Sequence, residues 1–137
     1  MKAGSLFAAA ITLALALPVA AQTSDLWERG TDPATAASGL RHVATGVFLS
    51  CSAHGGLVHV TATDMKPAAL TVRSGDLSAL LIEPGMQEGK AHVVVPADDP
   101  ALLAAATGPL TVAGHDLDFS EKDRRYFALF LRICKAS

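Results

Sequence analysis

The sequence lacks the short motifs that usually mark a catalytic or cofactor-binding site. No serine stands in a G-x-S-x-G nucleophile elbow, and no glycine-rich stretch has the G-x-G-x-x-G or G-x-x-x-x-G-K pattern of phosphate binding. The two cysteines are 83 residues apart, which excludes C-x-x-C redox chemistry and C-x-x-C-H attachment of haem. The sequence therefore predicts a protein that is neither an enzyme nor a cofactor carrier, with a small hydrolytic enzyme as the less favoured alternative.

Positive charge is also scarce. The chain has 11 lysines and arginines against 13 aspartates and glutamates, a formal net charge of −2 at pH 7. That balance argues against a nucleic acid or an anionic membrane as the partner. The one basic run, residues 122–127 (KDRRYF), has a helical spacing that places its charges on an outer face. We therefore expect the partner to be another protein.

The one long apolar run, LFAAAITLALAL, lies close to the N-terminus. Lys2 precedes it, and Val19 and Ala21 occupy positions −3 and −1 of a signal-peptidase site. The run is short for a membrane span, although a retained N-terminal anchor is the alternative. Residues 1–21 are predicted to be a signal peptide. We expect a periplasmic or secreted protein that is not inserted in a membrane after cleavage.

Cysteine is limited to Cys51 and Cys134. An exported chain with an even number of cysteines most simply forms a disulfide, so we predict that these two are bonded. Two buried free thiols are the alternative. The bond would join the first predicted hairpin to the last predicted helix.

Residues 22–45 have no sustained hydrophobic period and contain Gly30, Pro33 and Gly39 as breakers. We predict an irregular N-terminal arm, with Trp27, the only tryptophan, docking it onto the domain.

The stretch CSAHGGLVHV, residues 51–60, is predicted to be a hairpin with a two-residue turn at Gly55-Gly56. That register gives one face that is wholly apolar, and a shift of one residue would mix the two faces. The predicted apolar pairs are Ala53–Val58, Cys51–Val60 and Leu49–Ala62. The predicted pairs on the opposite, mostly polar face are His54–Leu57, Ser52–His59 and Ser50–Thr61.

Two more hairpins follow from the same test. A Ser74-Gly75 turn would pair Val72 with Leu77, and a Gly114-His115 turn would pair Val112 with Leu117. The run KAHVVVP, residues 90–96, is predicted to be a single strand, and EPGMQEGK, residues 83–90, to be a loop.

Two helices are predicted. Residues 98–108 have acidic caps, Pro100 at the first helical position and Gly108 past the end. The second begins after Ser120, with Asp123 completing a weaker form of the capping box. Its apolar stripe consists of Tyr126, Phe127, Phe130, Leu131 and Cys134.

These elements predict an α+β fold in which residues 46–137 form a single β-rich domain. It would contain a small antiparallel sheet of about seven strands built from hairpins, a short connecting helix and a C-terminal helix on one face. One disulfide would brace it.

His54 and His59 are the candidate metal ligands. In the predicted register they are diagonal neighbours on one strand face, where two imidazoles could chelate Cu(II) or Zn. A third ligand would have to come from His92, His42 or Asp64. The alternative is a pair of half-exposed histidines without a metal.

The candidate binding loop is Met86, Gln87 and Glu88 in the predicted loop 83–90, and a plain connector is its alternative. In size and outline the chain resembles small exported β-domains with one disulfide, a class that includes periplasmic lysozyme inhibitors. That resemblance implies an inhibitor-like binding function but identifies no inhibitory loop. We therefore expect a non-catalytic binding domain that presents loops to another exported protein.

Overall fold

The computed structural model describes residues 26–32 and 37–136, and the predicted signal peptide lies outside the described residues. The described chain has an α+β fold with two antiparallel sheets, a short helix, a C-terminal helix and one disulfide. The strands are β1 (Trp27–Asp32), β2 (Ala37–His42), β3 (Phe48–Cys51), β4 (Leu57–Ala62), β5 (Val72–Ser74), β6 (Leu77–Ser78), β7 (Ile82–Gln87), β8 (Lys90–Pro96), β9 (Thr111–Val112) and β10 (His115–Asp116). The helices are α1 (Pro100–Ala105) and α2 (Glu121–Cys134), and a 3-10 turn spans Pro67–Ala69.

The predicted fold class is confirmed, but the strands divide between two sheets instead of forming one. The large sheet has the order β1-β2-β3-β4-β8-β7, and the small one has the order β10-β9-β5-β6. Both contribute to one hydrophobic core, because Val60 and Val93 of the large sheet and Val72 and Val112 of the small sheet are all buried in it.

The predicted irregular arm is wrong for its described part, because β1 and β2 form a hairpin at the edge of the large sheet. The two glycines that were interpreted as breakers, Gly30 and Gly39, lie opposite each other in that hairpin. A Cβ on Gly39 would collide with the ring of Phe48, which covers this position from the neighbouring strand. The glycine therefore serves close packing within a strand.

The docking role predicted for Trp27 is confirmed. Its side chain is buried, stacks on the Phe119 ring at a centroid distance of 5.1 Å, and donates from Nε1 to the Asp118 carbonyl oxygen at 2.9 Å. A third aromatic ring, that of Phe127 on α2, lies 5.1 Å from Phe119. The aromatic chain Trp27–Phe119–Phe127 thus connects the edge strand β1 to the C-terminal helix.

All three predicted hairpins exist, but each has a register two residues away from the predicted one. Observed pairs are Leu49–Val60 in the first, Ser74–Leu77 in the second and Val112–His115 in the third. Because side chains alternate with a period of two, a shift of two residues leaves the residues that remain in the strands on their predicted faces. Ala53, predicted on the apolar face, lies instead in the loop after β3 and is exposed. Cys51, Val58, Val60 and Ala62 are accordingly buried, as expected.

The turn residues explain the shift in the third hairpin. Ala113 and Gly114 both have positive φ, 54° and 80°, as the two central residues of a type I′ turn must. The first hairpin differs for a tertiary reason. Its connection is a loop over residues 52–56 whose backbone donates to the end of α2, from His54 N to the Ile133 oxygen and from Gly56 N to the Cys134 oxygen, both at 2.7 Å.

Both helices begin where the sequence predicts. Asp99 caps α1 by accepting from Ala101 N at 2.8 Å, with Pro100 at the first position. Ser120 and Asp123 form a complete capping box, each side chain accepting from the other residue's backbone N–H at 3.1 Å. The Asp123 carboxylate also accepts from Leu26 N, so the cap of α2 holds the start of β1.

The predicted disulfide is confirmed between Cys51 and Cys134, both buried, with a Cα–Cα distance of 5.6 Å. It fixes the last turn of α2 to the inner face of the large sheet. Within the described part of the chain, no helix has the length and apolarity needed to cross a membrane.

Candidate functional site

The outer face of the large sheet, which α2 does not cover, carries the histidines of β4 and β8. Thr61 lies opposite His92 and His59 lies opposite Val94, so the two histidines are diagonal neighbours on adjacent strands. His59 Nδ1 and His92 Nε2 are 2.9 Å apart, and the rings are stacked at a centroid distance of 5.1 Å. Both side chains are half-buried.

The electrostatic setting of this pair is asymmetric. Burial lowers the pKa of His92, and the neighbouring His59 lowers that pKa further, whereas Glu83 acts in the opposite direction. Glu83 belongs to the bulge of β7 between Ile82 and Gly85, and Gly85 lies opposite His92. Burial therefore outweighs the carboxylate, and the lowered pKa favours the neutral form of the His92 imidazole.

The predicted neighbour of His59 was the wrong histidine. His54 lies in the loop over residues 52–56 with a φ of 57°, and its Nδ1 is 3.2 Å from the Lys135 carbonyl oxygen at the end of α2. The predicted two-residue turn would have kept His54 in the strand, but the contacts of the loop with α2 remove it. Since β8 is added beside β4 only in the tertiary fold, His92, which the sequence offered as a third ligand, becomes the partner of His59.

The other proposed third ligands lie elsewhere. His42 is buried beside Trp27, and its Nδ1 is 2.9 Å from Thr45 Oγ1. Asp64 is exposed in the bend after β4. Among the described residues, no group of three or more histidine, cysteine, aspartate or glutamate side chains is arranged to hold a metal ion.

The burial of His42 makes stability depend on pH. Burial lowers the pKa of His42 from its ordinary value of 6.5, and the carboxylates of Asp118 and Asp123 only partly oppose this. The unfolded chain therefore binds a proton more readily, so the free energy of unfolding should fall as the pH falls from about 6.5 towards the lowered pKa.

We expect His42→Asn to have a flatter dependence of stability on pH than the native chain as the pH falls below about 6.5. The asparagine side-chain amide can occupy the place of the imidazole Nδ1 and keep the hydrogen bond to Thr45, but it does not titrate. Urea unfolding at several pH values measures the slope, and His115→Asn, at an exposed position, is the control. Equal slopes for His42→Asn and the native chain would contradict this interpretation.

The segment predicted as the binding loop is mostly strand. Met86 and Gln87 belong to β7 and pair with Ala91 and Lys90, and Glu88 with Gly89 forms the tight turn. Met86 is 59% exposed. The proline and glycine of the EPG sequence suggested a loop. In the structure, the bulge of β7 accommodates Pro84, which has no N–H to donate.

A groove that the sequence did not suggest lies between the β1–β2 hairpin and α2, with a volume of about 350 Å³. The hairpin–helix groove is lined by Arg29, Ser38 and Leu40 from the strands and by Tyr126, Leu129 and Ile133 from the helix. The Arg29 guanidinium lies 4.2 Å from the centre of the Tyr126 ring. The only feature of the sequence that could have indicated this groove is the apolar stripe of α2, which includes Tyr126. That stripe was interpreted as core packing.

The two edges of the large sheet differ. The edge strand β7 contains the bulge, Pro84 and a positive φ at Glu83, features that prevent another strand from pairing there. The edge strand β1 pairs with β2 over six consecutive residues without a bulge. None of the described strands pairs with the outer edge of β1, which lies beside the hairpin–helix groove.

No model of a known protein family, no curated protein and no solved structure matches this chain.

Proposed function

We propose that this chain is an exported, non-catalytic binding domain that holds an extended segment of another exported protein against β1. The observation that carries the proposal is the uninterrupted edge of β1 next to the hairpin–helix groove. An extended peptide can add to such an edge through main-chain hydrogen bonds, while a neighbouring groove receives alternate side chains. The disulfide supports the location, because structural disulfides are typical of proteins from oxidising compartments.

The chemistry of the groove indicates what the segment would contain. Among the described residues no carboxylate pairs with Arg29, whose guanidinium is held in place by the Tyr126 ring. Leu129, 42% exposed, and Ile133 supply an apolar wall beside it. Side chains on one face of a strand are two residues apart, so we infer a segment with an acidic residue and an apolar residue separated by one position.

The test is selection of peptides from a random library displayed on phage, using the folded, oxidised protein as bait. We expect enrichment of an acidic-x-apolar pattern. Binding of the selected peptides should weaken by about tenfold or more in both Leu129→Glu and Arg29→Glu, since loss of an interface anchor costs about 1–2 kcal/mol or more. Because both side chains are exposed, thermal unfolding should stay within a few degrees of the native value.

The matched control is the triple variant Met86→Ala, Gln87→Ala, Glu88→Ala, which removes the loop candidate and should leave peptide binding unchanged. In a peptide paired with β1, every second N–H group faces the strand and the others face away. N-methylation of every second amide can therefore be done in two frames, and it should abolish binding only in the frame whose N–H groups face β1. The proposal is wrong if the triple variant loses binding while Leu129→Glu keeps it, or if both methylated frames bind equally. The inhibitor-like role stays a prediction within this proposal.

A further inference from the structure

We propose that His59 and His92 form a binding site for Cu(II) on the outer face of the large sheet. This face is separate from the hairpin–helix groove, so the inference does not depend on the proposed peptide partner. Imidazole nitrogens are preferred ligands of Cu(II), and the site begins with two of them on neighbouring central strands.

The distance between the two nitrogens carries the proposal. Metal–imidazole bonds are about 2.0–2.1 Å long, so two ligands at about 90° around one metal are about 2.9 Å apart. That is the separation of His59 Nδ1 and His92 Nε2, 2.9 Å. The 2.9 Å separation is also the length of the hydrogen bond that now joins the two rings. Both nitrogens can therefore occupy adjacent corners of one tetragonal Cu(II) complex, with water at the others, once the shared hydrogen has left and the two rings have turned towards the metal.

The backbone around the site holds the two ligands in place. His59 belongs to β4 and His92 to β8. These strands pair over six consecutive residues in the interior of the sheet. Glu83 lies on the bulge of the next strand, β7, beside the position where Gly85 pairs with His92. Copper would therefore find both ligands on backbone positions that the fold has already fixed, and only the two imidazole rings would have to reorient.

Binding requires one rearrangement of protons. In the free pair one ring donates the hydrogen that lies between Nδ1 and Nε2, and Cu(II) needs the lone pair of both atoms. That ring must release this proton and take up another on its second nitrogen through solvent. The two imidazoles remain neutral, and no electron is transferred.

The experiment uses the oxidised protein, purified without a histidine tag. CuCl₂ alone is titrated into it, and binding is measured by calorimetry and by electron paramagnetic resonance. We expect one Cu(II) per chain and an axial spectrum with splitting from two nitrogens. His59→Gln and His92→Gln should each raise Kd by about a hundredfold, because even the loss of a residue that only orients a ligand costs about 10–100-fold. His54→Gln and His115→Gln are the matched controls and should bind as the native chain does.

Thermal unfolding provides a second measurement that does not depend on the spectrum. Copper at about 100 times its Kd should stabilise the native chain by about 2.7 kcal/mol and should have no such effect on the His59→Gln chain. Circular dichroism of the metal-free variants checks that they are folded. The proposal is overturned if Cu(II) binds no more tightly than millimolar, if the His59→Gln, His92→Gln double variant keeps the site, or if His54→Gln removes it.

Discussion

Replacing both Cys51 and Cys134 with alanine is expected to lower the free energy of unfolding by about 4–5 kcal/mol. The bond closes an interval of 83 residues, and the chain-entropy model gives this value for a loop of that length. Domains of this size are stable by only about 5–15 kcal/mol, so the loss is a large part of the total. Urea unfolding of the native and double-alanine chains measures the difference in midpoint and slope.

The same substitution tests whether α2 is held to the sheet mainly by the disulfide or by packing alone. If the disulfide provides most of the attachment, the double variant should also lose protection from hydrogen exchange at His54 and Gly56, whose N–H groups donate to the end of α2. If the variant does not fold, unfolding of the native chain with and without a reductant gives the comparison. A change below about 1 kcal/mol in either measurement would show that packing alone fixes the helix.

Phe127→Ala is expected to destabilise the protein by about 3–5 kcal/mol, the usual cost of deleting a buried aromatic side chain. Phe127 is fully buried on the inner face of α2 and supports Phe119, on which Trp27 stacks. The effect should therefore reach the edge strand β1. Trp27 fluorescence follows this directly, because the chain has no other tryptophan.

Leu129→Ala is the control for Phe127→Ala, since it removes a leucine from the same helix at a position that is 42% exposed. Its effect on stability should be within about 1 kcal/mol. A comparable loss of stability in both variants would mean that the groove wall, and not the aromatic chain, holds α2 against the sheet.

The candidate metal site could be predicted only in part. His59 was correctly placed on a polar strand face by its alternation with Val58 and Val60. Its partner is 33 residues away in the sequence, on a strand that pairs with β4 only through a long connection. Local patterns contain no information on which strands become neighbours across such a distance, and so the nearby His54 was preferred to His92.

The hairpin–helix groove could not be predicted at all. It requires β1 and β2 to form a hairpin, and the glycines in those strands point to breakage when they are considered alone. Gly39 is explained only by the ring of Phe48 that covers it. A contact of this kind exists only after β2 and β3 have paired, so it has no signature in the sequence of β2.

The sequence by itself determined which faces of the central strands are apolar, where the helices begin and, because the chain has only two cysteines, which disulfide could form. Alternation with a period of two, the Ser120–Asp123 cap and the positions of Cys51 and Cys134 on apolar faces are local properties, and local free energies suffice to specify them. Only the tertiary structure decided the register of the first hairpin, because the end of α2 supplies the acceptors for its loop. It also decided the division into two sheets, the position of β1 at the edge of the large sheet and the pairing of His59 with His92. Each of these depends on contacts between segments that are distant in sequence, whose free energy is gained only when the chain has closed around its core.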